Sequence, residues 1–126
     1  MSAGITLDAG GLIALDRDDR RVVVLLARAV QTTARVTVPV GALAQAIRSP
    51  GRQVRLARLL RAPTADVVAL DRLDATDVDR LLAASRTSDV VDAHVVLCAR
   101  RARRAIVTRN PDDLRTMDRD VGLVVL

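Results

Sequence analysis

Apolar positions along the chain fall into two alternating periods. Short runs bounded by charged or turn residues read as strands: Ile5-Thr6-Leu7, Arg35-Val36-Thr37-Val38, Asp66-Val67-Val68-Ala69-Leu70, Ala105-Ile106-Val107-Thr108 and Gly122-Leu123-Val124-Val125-Leu126. Between them, apolar residues recur at three- and four-residue intervals. Ala9-Gly10-Gly11 reads as a tight turn into Leu12-Ile13-Ala14-Leu15, and Arg21 to Gln31 carries Val22, Leu25, Leu26, Ala29 and Val30 on one side. Pro39 starts a helix containing Leu43, Ala44, Gln45, Ile47 and Arg48, which Ser49-Pro50-Gly51 ends. Further helices are expected over Arg52–Arg61, over Asp74–Ala84 capped by Asp71 or Asp74, from Ser88 to about Arg104, and after Pro111 to about Met117. Strands alternating with helices predict a parallel α/β sandwich, a single domain over residues 1–126.

The helix opening at Thr87-Ser88-Asp89-Val90-Val91-Asp92-Ala93-His94 organises the rest. Ser88 is a natural N-cap, and Asp89 and Asp92 share one helical face. Asp92 heads the stripe of Val95, Val96 and Ala99 that should face the core. A carboxylate there must be paired, protonated or bound to a cation, because an isolated buried charge is strongly penalised. His94 lies off that face, which favours packing over catalysis.

Composition narrows the chemistry. No apolar stretch is long and charge-free enough to span a bilayer, and Met1-Ser2-Ala3-Gly4 carries no basic segment, so a soluble cytoplasmic protein is expected. The single cysteine, Cys98, excludes an internal disulfide and a thiolate metal cluster. All 20 basic side chains are Arg and the net charge is +5, which favours polyanionic or acidic partners. With no Phe, Trp or Tyr, the core must be aliphatic, and any single-stranded nucleic acid must be held without aromatic stacking.

Right-handed crossovers in a parallel sheet bring the carboxyl ends of the first and fourth strands to one edge, where α/β sheets build their sites. That gathers Asp8, the start of the Asp92 helix and the loop Arg109-Asn110-Pro111-Asp112-Asp113-Leu114. Oxygen ligands without His or Cys select a hard cation such as Mg²⁺ or Mn²⁺. Such an ion activates water and offsets charge on a phosphodiester, while Arg side chains hold the backbone.

Over essentially its whole length the chain resembles PIN-domain ribonucleases of the VapC type, the toxins of VapBC toxin–antitoxin pairs. The resemblance rests on Leu7-Asp8-Ala9, on Val38-Pro39 leading into Leu43-Ala44-Gln45, on Asp89 to His94, and on Val107 to Leu114. It implies a three-layer PIN-like α/β/α sandwich around a mostly parallel sheet of about five strands. It further implies Mg²⁺- or Mn²⁺-dependent cleavage of RNA (tRNA, rRNA or mRNA), a VapB-type antitoxin as partner, and a homodimer. By position, Asp8 matches the first metal-binding Asp and Asp92 the third acidic position, both as direct ligands. Gln45 stands where the family has Glu, and Asn110 where it has Asp. Asp112 or Asp113 would then reach in for Asn110, and Asp89 would supply the carboxylate that Gln45 lacks.

In that site Thr108 and Asn110 would donate to phosphate or to metal-bound water. Arg100, Arg101, Arg103 and Arg104 close the central helix, where cations complement the dipole and could also bind RNA or antitoxin. The competing reading is a degenerate PIN-like module that binds RNA or antitoxin without cutting. A receiver domain, also α/β with an Asp after its first strand, needs a Lys that this chain lacks.

Overall fold

A computed structural model describes residues 4–126; Met1-Ser2-Ala3, read above as free of a basic segment, lies outside the described residues. The elements are β1 (Ile5–Leu7), α1 (Ala9–Asp16), α2 (Arg20–Gln31), β2 (Val36–Pro39), α3 (Val40–Ala46), a 3₁₀ turn (Pro50–Arg52), α4 (Val54–Arg61), β3 (Ala65–Val68), α5 (Arg72–Ser85), α6 (Val90–Ala102), β4 (Ala105–Thr108), α7 (Pro111–Met117) and β5 (Leu123–Val125). The five strands form one sheet in the order β3-β2-β1-β4-β5, with every pairing parallel.

The strand order sets the layers. Stepping from β1 to β2 to β3 by right-handed crossovers puts α1, α2 and α4 on one face; the return to β4 and on to β5 puts α5, α6 and α7 on the other. The strand order reverses at β1 and β4, so their carboxyl ends flank the natural crevice of the sheet. The core between the layers is aliphatic, with Leu7, Leu12, Val36, Val38, Val95, Val96, Ile106 and Val107 essentially inaccessible. In α6 every residue from Ala93 to Ala99 is buried, so the helix is embedded almost all round. No helix among the described residues is long and apolar enough to cross a membrane.

Two local readings are corrected. Ala9-Gly10-Gly11 is not a turn but the first turn of α1, with Asp8 as its N-cap. Glycine is needed there for packing, since a Cβ on Gly11 would stand 2.7 Å from the Val107 carbonyl oxygen. The N-cap of α6 is Asp89 rather than Ser88: Asp89 keeps extended backbone angles and its Oδ1 accepts the Asp92 N–H at 2.9 Å. Both residue types cap well, and the chain enters the helix one residue later.

His94 is a core residue. It is 1 % exposed, with Nε2 3.6 Å from Asp74 Oδ2 and 3.5 Å from Cys98 Sγ. Burial pushes the imidazole below its ordinary value, so it packs as a neutral ring, and burial pushes the Cys98 thiol up to about 11.

Candidate active site

Asp8 leaves β1 at its carboxyl end and is 4 % exposed. Its Oδ1 accepts the Gly11 N–H at 2.8 Å, so the cap that starts α1 also fixes the carboxylate. Burial raises the Asp8 pKa, against the lowering effect of the Thr108 hydroxyl and the Gly11 and Gly10 amides. Thr108 ends the neighbouring strand β4 and is fully buried. Its oxygen also accepts the Asn110 N–H at 2.9 Å, which bends the chain over the strand end.

Asp92 enters from the opposite layer, on the first turn of α6, and is half-buried. Its carboxyl is pushed up to about 6, by burial first and then by the charges of Asp89, Asp8 and Asp113. No cation enters that balance. Asp92 therefore feels three like charges, those of Asp89, Asp8 and Asp113, and no Arg acts on it. Asp89, Asp92 and Asp113 line a cleft of about 270 Å³ together with Thr87, Ser88, Thr116 and Met117.

The structure separates residues that sequence reasoning left open. Asp113 faces the group and accepts from Asn110 Nδ2 at 3.1 Å, so Asn110 orients a carboxylate instead of supplying one. Asp112 is 94 % exposed and lies near only Arg115, at 3.8 Å. Gln45 is exposed on α3, and no hydrogen bond among the described residues ties it to the acids. Arg100, Arg101, Arg103 and Arg104 lie at the far end of α6. Arg100 Nε donates to Asp118 at 2.8 Å, Arg101 binds Asp74 and Asp77, and Arg104 Nη1 donates to the Thr37 hydroxyl at 2.6 Å. Only Arg103 is free of such a contact among the described residues. The structure adds Arg109, directly after Thr108 on the rim of the crevice. Its position at a strand end was the available signal, hidden among so many arginines.

Among the described residues, no group of three or more His, Cys, Asp or Glu side chains stands close enough to hold a metal ion. The donor set nonetheless fits a hydrated hard cation. Mg²⁺ keeps several waters and is commonly held by one or two carboxylates. Asp8, whose second oxygen is free of the Gly11 bond, and Asp92, raised by like charges, fit that requirement.

No protein-family model and no curated protein matches the sequence. Among solved structures, the chain is similar to one in the structure of FitAB bound to an IR36 DNA fragment. The TM-score is 0.66 at 14 % identity, over 96 % of this chain and 94 % of that one. It is also similar to a chain of FitAcB from Neisseria gonorrhoeae, with TM-score 0.61 at 17 % identity over 94 % and 95 %. The chain thus has the PIN-like α/β/α fold.

Proposed function

We propose that this chain is a Mg²⁺- or Mn²⁺-dependent endoribonuclease of the VapC type, neutralised by a VapB-type antitoxin. The observation that carries the reading is the uncompensated carboxylate group at the switch point of a PIN-like sheet, with the Asp92 carboxyl pushed up to about 6. Carboxylates kept close together without a counter-charge cost stability, a cost that a bound cation offsets. Asp8 and Asp92 would hold the ion, which when bound supplies an activated water and a positive charge against the phosphate. Thr108 and Gly11 hold Asp8 in place, Asn110 holds Asp113, and Asp89 fixes the start of α6.

An antitoxin partner is supported by an apolar groove of about 480 Å³ between α1, α2 and α4. Val23, Leu26, Val30 and Leu59 line it and Arg55 and Arg58 edge it, a surface that an amphipathic acidic segment would cover. Val40 and Val90, exposed on α3 and α6 near the Gly41–Val91 contact, are the surface we propose for a homodimer in the cytoplasm.

The test is incubation of the purified protein with total RNA or a tRNA mixture in Mg²⁺, Mn²⁺ or EDTA, beside Asp92→Asn. Metal-dependent cutting by the wild type alone is expected. Absence of cutting with RNA still bound would replace the nuclease by a binding module, which the lack, among the described residues, of three acids placed to hold one ion and the exposed Gln45 favour.

A further inference from the structure

One cation is rooted at the rim of the carboxylate group while its guanidinium leans toward Asp19 in a long ion pair. Arg109 follows the last residue of β4, and its backbone nitrogen and Cβ lie 3.5 Å from the point that a Cβ on Gly10 would occupy. Asp8 Oδ1 lies 3.4 Å from the same point. The root of Arg109 and the Asp8 carboxylate therefore flank one methyl-sized gap, open because residue 10 is glycine.

The guanidinium of Arg109 is 42 % exposed, and Asp19 approaches it no closer than 3.8 Å, outside hydrogen-bond range. Asp19 is already engaged. Its carboxylate accepts from Arg21 N at 3.0 Å, Arg21 Nε at 3.1 Å and Arg21 Nη2 at 2.8 Å while capping α2. Contrast the arginines at the far end of α6, where Arg100, Arg101 and Arg104 each donate to a protein oxygen. The Arg109 guanidinium is drawn toward Asp19 by a long ion pair only, and among the described residues none of its donors makes a hydrogen bond, so it can swing from its root beside Asp8.

We propose that Arg109 grips the phosphodiester beside the carboxylates, donating from two guanidinium nitrogens to the non-bridging oxygens of one phosphate. A nucleic-acid strand crossing Asp8 and Asp92 meets like charge, and a fork-shaped cation at the rim offsets it and fixes the phosphate in orientation as well as position. The role in cleavage rests on the nuclease reading above; the contact with phosphate does not.

The experiment measures binding of a short fluorescent single-stranded RNA in EDTA across a salt series, for wild type, Arg109→Ala, Arg109→Lys and Arg103→Ala. Arg109→Ala should weaken binding about ten-fold at low salt and reduce the slope of log affinity against log salt by about 0.7, the contribution of one phosphate contact on a single strand. Arg109→Lys should restore the slope but only part of the affinity, because a point charge lacks the fork. Arg103→Ala, the unpaired arginine at the far end of α6, should lose less slope than Arg109→Ala, and an equal loss would overturn a grip specific to the carboxylate rim. With Mn²⁺, Arg109→Ala should raise KM for cleavage more than Arg109→Lys does. Wild-type affinity and slope in Arg109→Ala overturn the proposal whatever the cleavage result. Loss of slope in Arg109→Ala with no cutting by wild type sustains the contact and removes the nuclease instead.

Discussion

Two helices of this molecule begin with the same spacing of acids, and the two pairs behave oppositely. α5 opens on Asp71 and Asp74, α6 on Asp89 and Asp92. In α5 the two residues cap each other: Asp74 N–H donates to Asp71 Oδ1 at 2.9 Å and Asp71 N–H donates to Asp74 Oδ2 at 3.2 Å. Arg101 then binds Asp74 and holds its carboxyl below the usual range. In α6 only half the box forms: Asp92 donates its amide to Asp89, while its carboxyl meets the Asp89 side chain and feels the charges of Asp89, Asp8 and Asp113. No Arg answers it. One motif is thus closed for stability and the other left open with its charge unspent. The pairing of the second acid separates structure from chemistry, and it does not show in the local sequence.

The largest expected effect of pressing on this difference is on cleavage. Asp92→Asn should lower Mn²⁺-dependent RNA cleavage by at least about 100-fold, while Asp74→Asn, assayed below its melting point, should stay within about three-fold of wild type. Equal losses in both variants would show that the open pair has no special role.

Next comes stability. Asp74→Asn keeps an oxygen to accept the Asp71 N–H but leaves Arg101 without its buried charged partner, which should cost about 2 kcal/mol in urea unfolding at neutral pH, allowing for the half-exposed guanidinium. The Asp74 contribution is present above the ordinary carboxylate range and is lost as pH falls below about 4.

Asp92 has the opposite sign. Its folded-state pKa lies above its unfolded one, so the metal-free protein should lose stability as pH rises from about 4 to about 6, and stay at that lower level above it. Asp92→Asn should reduce this slope, leaving the part due to Asp8, and gain about 1 kcal/mol at pH 7, discounted for the half-buried site. Millimolar Mn²⁺ should raise the wild-type melting temperature and leave that of Asp92→Asn unmoved. A flat profile in wild type would mean that the carboxylates do not repel.

The smallest effect is expected from Asn110→Asp, which replaces the amide orienting Asp113 with a further carboxylate. Isothermal titration should show Mn²⁺ binding about three-fold tighter, as one more screened charge near the site would give. Weaker binding would mean that orienting Asp113 matters more than adding charge.

Much of this was legible in the order of residues. β4 was expected over the residues it occupies, Ala105–Thr108, because a β-branched run between Arg104 and Arg109 has no other reading. The gathering of Asp8, Asp92 and the Asn110 loop followed from parallel topology alone. Gly11 misled, because its requirement comes from Val107, nearly a hundred residues away, and not from a local turn. The arginines of α6 were ambiguous for the same reason. Their partners Asp118, Asp77 and Asp74 lie 18, 24 and 27 residues distant, so local patterning could not tell a satisfied cation from a free one. Likewise Asp112 and Asp113 are neighbours in sequence, and only the rise of α7 decides which faces the crevice.

Gly11 carries no functional group, yet the contact described for it shapes how this protein can vary. A Cβ there would collide with the backbone of β4, which cannot yield as a side-chain tip would. In a saturation-mutagenesis screen scored by RNA cleavage, position 11 should therefore tolerate nothing, and would be indistinguishable from Asp8 or Asp92. Folded yield separates them: Gly11→Ala should accumulate poorly, whereas Asp92→Asn should accumulate at least as well as the parent. Mutational intolerance in this chain marks two kinds of position, those that do the chemistry and one that keeps α1 and β4 close enough for the chemistry to have a place.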